Sequence, residues 1–483
     1  APKVEEVPAP EPTPAPKPEP KKKKSTPKVE EAPAPAPEPA PAPKPEPKKK
    51  KSVPKVEEAP APEPTPAPKP EPKKKKSAPK VEEVPAPEQK VEIVETNIEV
   101  TQKADKVNGI DKKTAKGKVS YPSKIDYRLE QIYFKLNSEK VEGIYVSSLP
   151  NIRYLTNFSG SDAHLFLFKD KIIFVTDDRY EEQIKSELYP LPNLQTIITR
   201  DVWGTLLNLN ILSQYQEIGF ESDVLSYQDA VEFRNKIRPV KFKPIPEAVE
   251  PTTRSKAPEE LENIRQACTI SEKVFNFLLN FIKPGMSEKD IAIEIAYQSR
   301  KMGSEGDAFD IIVTSGNRGS LVHGQPSEKK IRKGDIVIID FGCKVNGFCS
   351  DITRTICVGA KPTKEQKNIY SLLRTAQKKA IESMRPGING KILDGVARKL
   401  IQEAGYGDYF KHSLGHGIGI VPHEKPIITF RMDDQNVPED AVVAIEPGIY
   451  LPDKFGMRVE DNVHLTKNGP IMLTNASDEL IYT

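Results

Sequence analysis

Two aspartates separated by a short glycine-containing stretch offer the first recognisable chemistry in this sequence. Asp340 ends a β-branched run, IVII, that predicts a buried strand, and Asp351 lies eleven residues further on. A hairpin with Gly342 and Gly347 near its bend would bring the two carboxylates together. Because neighbouring carboxylates at the end of an apolar hairpin repel each other, they either share a cation or remain solvated turn residues.

An internal duplication supplies counterparts to these two aspartates. The segments at 282–303 and 384–405 share a proline–glycine pair and a final glycine at a constant offset of 102 residues. The strand VIIDFG of the first copy corresponds to VAIEPG in the second, where the acid is Glu446. Each copy carries one further acid, Asp351 in the first and Glu460 in the second. We therefore expect a domain of two similar halves, with four carboxylates converging near its axis.

A histidine-rich loop, HSLGHGIGIVPHE, provides imidazoles near these acids. Its three histidines, out of six in the whole chain, are His412, His416 and His423. Four carboxylates in one cleft need about two divalent cations to stay ionised. Imidazole among the ligands suits Mn, Co, Zn or Fe better than Ca. His323 lies before the strand of Asp340 and could add a polar group at the cleft, whereas we expect His464 to be a surface residue.

From Arg254 to its end, the chain resembles the pita-bread metallopeptidases, and within them the prolidase and aminopeptidase P branch. The matching motifs are VHG at His323, IDFG, SDITRT, GYGDYFKHSLGHGIG, HEKP, IEPGIY and MRVED. The stretch Ser148–Tyr180, with NIRYLTNFSGS and TDDRY, resembles the amino-terminal domain of the same family. The resemblance implies an α+β fold in which a smaller, creatinase-N-like α/β domain precedes a pita-bread catalytic domain of duplicated helix–strand halves.

The resemblance also implies a role for each candidate site residue. The five implied metal ligands are Asp340, Asp351, His416, Glu446 and Glu460. Asp351 and Glu460 would bridge the two ions, and Glu446 would also act as general base toward the attacking water. The residues implied to contact substrate are His323, His423 and Arg458. The two histidines would meet the substrate carbonyl and the tetrahedral intermediate, and together with the general base they form the predicted catalytic set. The arginine would meet the substrate carboxylate.

The implied activity is hydrolysis of Xaa-Pro peptide bonds with two divalent cations, Mn²⁺ or Co²⁺, with Zn²⁺ and Fe²⁺ as alternatives. The expected enzyme is an Xaa-Pro dipeptidase, or prolidase, acting on small peptides with proline at the second position. One alternative is an aminopeptidase P that releases the N-terminal residue from longer Xaa-Pro peptides. Another is a non-catalytic pita-bread scaffold protein, which the complete ligand set disfavours. The family resemblance also implies a homodimer.

Composition divides the chain into a tail and two folded units. Residues 1–88 hold 28 of the 47 prolines and no glycine, cysteine or aromatic residue, and PKVEE and lysine blocks recur along them. Because such a repeat cannot bury a core, we expect residues 1–122 to be a disordered Pro/Ala/Lys/Glu-rich tail and linker, whose partners the sequence does not define. Strand and helix patterns predict an α/β amino-terminal domain at 123–246, and the metallopeptidase domain follows at 252–483.

The overall totals argue against several classes of protein. A net charge of +3 over 483 residues is no nucleic-acid signature, and glutamates alternate with the lysines of the tail, so we expect no specific nucleic-acid partner. No apolar run is long enough to predict a membrane span. The four cysteines show no CxxC spacing and no disulfide framework, which favours a reducing compartment. We therefore expect a cytoplasmic location.

Overall fold

The computed structural model describes residues 124–483 and a two-residue strand, β1, at Ile93–Val94. Apart from β1, the predicted disordered tail and linker lie outside the described residues. The backbone of β1 pairs antiparallel with Thr196 and Ile197. These two residues, which the tail and linker prediction covers, extend a sheet of the first folded unit.

The first folded unit is an α/β unit. Its elements are β1, α1 at Ile125–Ser138, β2 at Gly143–Val146, α2 at Leu149–Thr156, β3 at His164–Phe168, β4 at Ile172–Thr176, α3 at Glu181–Glu187, β5 at Leu194–Ile198, α4 at Val202–Asn208, β6 at Glu217–Glu221, α5 at Tyr227–Lys236 and β7 at Lys241–Ile245. Among the described residues, its strands form one seven-stranded mixed sheet in the order β1-β5-β4-β3-β2-β6-β7. The central strands β2 and β4 are buried along their whole length, as expected for strands covered on both faces.

The second unit consists of two successive halves. The first half contains α6 at Pro258–Phe281, α7 at Glu288–Lys301, β8 at Ile312–Ser315, β9 at Ile336–Phe341, β10 at Lys344–Val345, β11 at Phe348–Cys349 and β12 at Ile352–Cys357. The second half contains α8 at Lys364–Glu382, α9 at Gly390–Glu403, β13 at Gly415–Gly417, β14 at Glu424–Ile428, β15 at Val442–Ile445, β16 at Gly448–Leu451, β17 at Phe455–Arg458, β18 at Asp461–Thr466, β19 at Gly469–Met472 and β20 at Ile481–Tyr482.

Each half contributes most of one sheet, and β20 from the second half joins the sheet of the first. The first sheet has the order β20-β12-β9-β8, and the second has the order β14-β13-β15-β18-β19. Two hairpins, β10-β11 and β16-β17, accompany them. In the first sheet, β9 lies between β8 and β12, and all six of its residues are buried. This central position explains why the sequence of β9 is a nearly continuous apolar run that ends in an acid.

The duplicated helical segments have the same local structure at the offset of 102 residues. Four glycines adopt positive φ angles at equivalent places: Gly285 at 96°, Gly387 at 81°, Gly303 at 105° and Gly405 at 84°. Ser287 and Asn389, also 102 residues apart, cap the N-termini of α7 and α9 with their side chains. These shared turns and caps place each α-helical pair beside the sheet of its own half.

A buried ion pair joins the first unit to the second. Arg128 on α1 donates to Glu260 on α6 at 2.5 Å, and both side chains are 4% exposed. Glu260 also accepts a hydrogen bond from the backbone N–H of Ala257, at the start of α6. The Arg128 guanidinium lies 4.2 Å from the ring centroid of Tyr154. None of the helices in the described part of the chain is both long and apolar enough to cross a membrane.

Replacement of Arg128 by Met should lower the free energy of unfolding by about 3–5 kcal/mol, because it leaves the buried Glu260 carboxylate without its cation. Urea denaturation followed by circular dichroism measures the change. Arg200→Met is the matched control, since Arg200 pairs with Asp178 where both side chains are more than half exposed. An Arg128→Met protein no less stable than Arg200→Met would contradict the prediction.

Candidate metal centre

The structure brings the five predicted metal ligands into one site. Ligand atoms of Asp340, Asp351 and Glu460 all lie within 4.8 Å of one another. A second group with the same spacing joins His416, Glu446 and Glu460. The shared acid, Glu460, connects the two groups. This is the arrangement that a bridged pair of cations requires.

Asp340 and His416 lie within strands, and the other three ligands directly flank strands. Asp340 lies in β9 and Asp351 directly precedes β12, so the antiparallel β9–β12 pair delivers both acids to one end of its sheet. Glu446 directly follows β15 and Glu460 directly precedes β18, which are likewise an antiparallel pair. In both halves of the domain, an antiparallel pair of strands therefore brings two acids to the site.

His416 reaches the acids because β13 packs unusually close to β15. His416 pairs with Ala444 in that sheet, and the preceding residue is Gly415. A Cβ atom on Gly415 would lie 1.9 Å from the carbonyl oxygen of Ala444, so no other residue type fits this backbone approach. The imidazole Nε2 lies 3.6 Å from Asp351 Oδ2 and 3.7 Å from Glu446 Oε1.

The carboxylates are buried so closely together that their charge is costly. Burial is the main cause that raises the pKa of Asp351 well above its ordinary value, followed by repulsion from Glu460, Asp340 and Glu446. Burial and then Glu460 likewise raise the pKa of Glu446 well above its ordinary value. Burial, followed by repulsion from Asp340, raises the pKa of Glu460 to about 8. Without a cation, the site therefore holds protons near neutral pH.

The donor set fits a pair of divalent cations. Asp340 Oδ1 is buried and has no hydrogen-bond partner, although a buried carboxylate oxygen ordinarily has one. Burial, followed by repulsion from His423, lowers the pKa of His416 to about 3, so its imidazole is neutral, the form that binds metals. The His416–carboxylate separations are too long for hydrogen bonds but suit ligands around a shared ion.

The resemblance implies that Arg458 meets the substrate carboxylate, but in the structure its guanidinium bonds to groups of the protein itself. It is 2% exposed, and its guanidinium pairs with the Asp340 carboxylate. It also donates to the Tyr450 hydroxyl at 2.6 Å, to Thr353 Oγ1 at 3.0 Å and to the carbonyl oxygen of Val322 at 3.2 Å. These bonds leave little of the guanidinium for a ligand, so the geometry favours a role in holding the acids.

The two histidines predicted to contact substrate lie at the exposed side of the site. His423 is exposed, and its ring centroid is 4.2 Å from that of His416. Its imidazole also groups with Asp351 and His416 as a possible ligand. His323 is exposed and lies close enough to His423 to contribute to the lowering of its pKa. The prediction for His464 was wrong, because that residue is buried and contacts Asp440 at 3.3 Å.

Thr353 and Tyr450, which the sequence did not single out, also contribute to the site. Thr353 donates from its hydroxyl to Glu460 Oε2 at 2.8 Å, and Tyr450 contacts His412 Nε2 at 2.8 Å. His412 Nδ1 lies 3.8 Å from Glu446 Oε2. The alternation within SDITRT is a signal that Thr353 faces the same side as Asp351. No comparable signal marks Tyr450, whose contact depends on the packing of the β16–β17 hairpin.

Comparisons with known proteins agree with this geometry. The family model described as metallopeptidase family M24 matches residues 262–467, and that of the creatinase/prolidase N-terminal domain matches residues 128–252. An Xaa-Pro dipeptidase of Pyrococcus furiosus is 36% identical over 356 residues, which are 73% of this chain and 99% of that protein.

Two solved structures each match 74% of the chain. The Xaa-Pro dipeptidase from Bacillus anthracis has a TM-score of 0.70 and 34% identity over 74% of this chain and 100% of that one. The X-Pro aminopeptidase from Thermotoga maritima has a TM-score of 0.68 and 35% identity over 74% and 99%, respectively. The matches confirm the predicted fold class, a creatinase-N-like α/β unit followed by a pita-bread unit. The roles of individual site residues and the domain boundaries stay predictions.

Binding of Mn²⁺ to the cation-free protein should release protons, and more of them near about pH 7 than near about pH 9. Glu460, with a pKa of about 8, is mostly protonated at the lower pH and ionised at the higher, and a cation must displace the proton. Titration calorimetry in buffers of different ionisation enthalpy counts the released protons.

Asp351→Asn should reduce this proton release, because it removes one buried acid and relieves the repulsion on the others. Asp178→Asn is the control, since Asp178 is an exposed acid of the first unit. Equal proton release by the wild-type protein at about pH 7 and about pH 9 would contradict the conclusion that burial and mutual repulsion keep the carboxylates protonated.

Proposed function

The chain belongs to metallopeptidase family M24, and we propose that it is an Xaa-Pro dipeptidase that uses two divalent cations. Mn²⁺ or Co²⁺ is the expected pair, with Zn²⁺ and Fe²⁺ as alternatives, because a mixture of carboxylate and imidazole ligands suits these ions. The observation that carries the proposal is the convergence of four carboxylates, three of them buried and Glu446 partly buried, with one neutral imidazole in groups whose ligand atoms lie within 4.8 Å of one another.

The proposal assigns the cations to five residues: Asp340, Asp351, His416, Glu446 and Glu460. Such cations, when bound, lower the pKa of water and polarise a peptide carbonyl. Arg458 and Thr353 support the assignment, since they hold the Asp340 and Glu460 carboxylates in place through direct hydrogen bonds. An acid fixed in this way keeps its orientation whether or not substrate is present.

Glu446 is the proposed general base. Its side chain is 19% exposed, whereas those of Asp340 and Asp351 are 9% and 5% exposed. Glu446 is therefore the acid best placed to exchange a proton with water and with a substrate. It would accept a proton from the attacking water and pass it to the prolyl nitrogen as that nitrogen leaves.

His323 and His423 are the proposed donors to the substrate carbonyl. The bond on the amino side of proline is a tertiary amide, which has no N–H, so a site for it must recognise the carbonyl oxygen. Burial is the main cause that lowers the pKa of His423, so its ring stays neutral near pH 7. A neutral imidazole still carries one N–H, which can stabilise the negative charge that develops on the carbonyl oxygen.

The preference for dipeptides is supported by relatives and solved structures whose names are Xaa-Pro dipeptidase or prolidase. The similarity to the X-Pro aminopeptidase from Thermotoga maritima is nearly as high, and it favours release of the first residue from longer peptides as the second candidate. The predicted homodimer and cytoplasmic location belong to the same proposal and rest on the sequence arguments alone.

The purified protein, stripped of metal and reconstituted with Mn²⁺ or Co²⁺, should hydrolyse Ala-Pro faster than Ala-Pro-Ala. Chromatographic measurement of released alanine gives kcat/KM for each peptide. A higher kcat/KM for Ala-Pro-Ala would assign the aminopeptidase activity instead. Cleavage of neither peptide would contradict Xaa-Pro hydrolysis and would favour the scaffold alternative.

Replacement of Asp351 by Asn should abolish hydrolysis of both peptides, because the remaining acids no longer form the complete ligand set. Asp178→Asn again serves as the control and should retain full activity, since this acid is exposed in the first unit. Activity of Asp351→Asn equal to that of the control would contradict the proposed site.

A further inference from the structure

We propose that Asp394 and Arg398, one turn apart on α9, are positioning residues that fix His412 beside the Glu446 carboxylate. The proposal rests on the proposed function, because it concerns a histidine at the proposed general base. Neither residue reaches the cation site. Both act on the chain segment that carries His412 toward that site, which is defined here as the 410–414 segment.

The Asp394–Arg398 pair makes hydrogen bonds to the backbone of the 410–414 segment. Asp394 is fully buried and accepts from Arg398 Nε at 2.6 Å and from Arg398 Nη2 at 3.0 Å. The same guanidinium donates to the carbonyl oxygens of Phe410 at 2.9 Å and of His412 at 2.7 Å. The second Asp394 oxygen accepts from the backbone N–H of Leu414 at 3.0 Å. Three alternate residues of the segment are thus bonded to one ion pair.

Two aromatic rings close over the guanidinium. Its central carbon lies 4.1 Å from the ring centroid of Phe410 and 4.3 Å from that of Phe430. The Phe410 ring in turn meets the His412 ring edge-on, with centroids 5.2 Å apart and planes at 90°. Arg398 therefore fixes the His412 side chain through Phe410 as well as through the backbone.

The segment connects this ion pair to the proposed general base. The carbonyl oxygen of Leu414 accepts from the backbone N–H of Glu446 at 2.8 Å, while the N–H of Leu414 is held by Asp394. His412 Nε2 contacts the Tyr450 hydroxyl, and His412 Nδ1 lies 3.8 Å from Glu446 Oε2. A shift of the segment would move the imidazole away from the Glu446 carboxylate and alter the surroundings of the base.

The strand that follows has supports of its own. His416 is held by the pairing of β13 with β14 and β15, and the close approach at Gly415 leaves that strand no freedom. Loosening the ion pair on α9 should therefore disturb His412 and turnover while the cations remain bound. This separation distinguishes a positioning role from a general loss of structure.

Arg398→Lys is the informative substitution. Lysine keeps the positive charge, but it lacks the planar fork that bonds Asp394 twice and the flat face that stacks between the two rings. The matched control is Arg128→Lys, because Arg128 is also a buried arginine that pairs with a carboxylate and stacks on a tyrosine, outside the site. Both substitutions remove comparable contacts, and only one of them touches the 410–414 segment.

The test is a double-mutant cycle on Ala-Pro hydrolysis with Arg398→Lys, His412→Ala and their combination. Arg398→Lys should lower kcat/KM about tenfold, chiefly through kcat, with cation content unchanged. In the His412→Ala background the same substitution should change kcat/KM less than about twofold, because the residue through which it acts is gone. Arg128→Lys should leave kcat/KM unchanged. Additive losses in the cycle would overturn the proposal.

Hydrogen exchange of the Leu414 amide decides the proposal independently of activity, so it remains informative if the wild-type protein cleaves no Xaa-Pro peptide. Exchange should be faster in Arg398→Lys and unchanged in Arg128→Lys, whereas unchanged exchange in Arg398→Lys would overturn the proposal. Should Arg398→Lys not fold, Phe430→Leu replaces it, because it removes one face of the stack at a residue that is 40% exposed. It should show both effects at smaller size, and its failure to do so would equally overturn the proposal.

Discussion

Mutual repulsion among four carboxylates in one buried cleft is the constraint on which the rest of this structure depends. Burial and repulsion together raise the pKa values of Asp351, Glu446 and Glu460, so the protein alone cannot hold the cleft fully ionised near neutral pH. Arg458 supplies one positive charge, at Asp340. Divalent cations would neutralise the negative charge that remains, and the donor atoms are spaced to bind them.

The acids remain close together despite their repulsion because each is held by a strand that is fixed by its pairing in a sheet. The antiparallel pairs β9–β12 and β15–β18 deliver two acids each, one pair from each half of the duplicated unit. Polar side chains then join the halves. Asn462 accepts from the Asp351 N–H at 3.0 Å and donates to the Asp351 carbonyl oxygen at 2.7 Å. The rigid backbone keeps the carboxylates from moving apart. A carboxylate that could move away from its neighbours would relieve the repulsion without a cation.

The sequence was sufficient to predict the parts of the site that follow from local pattern. The acid at the end of an apolar strand, its counterpart 106 residues later at Glu446, and the glycine-rich histidine loop all depend on spacing along the chain. The contacts of Arg458, Tyr450 and His412 could not be predicted, because they form between strands and helices that are remote in sequence. His464 was misassigned for the same reason: its burial depends on the pairing of β15 with β18. Apart from β1, residues 1–122 lie outside the described residues.

We propose that two cations, shared through Glu460, hold the four carboxylates together. Anomalous X-ray diffraction at the manganese absorption edge, from crystals grown with Mn²⁺, tests it most directly. This arrangement predicts two anomalous peaks, one among Asp340, Asp351 and Glu460 and the other among His416, Glu446 and Glu460. A single peak, or peaks only elsewhere on the protein, would contradict it.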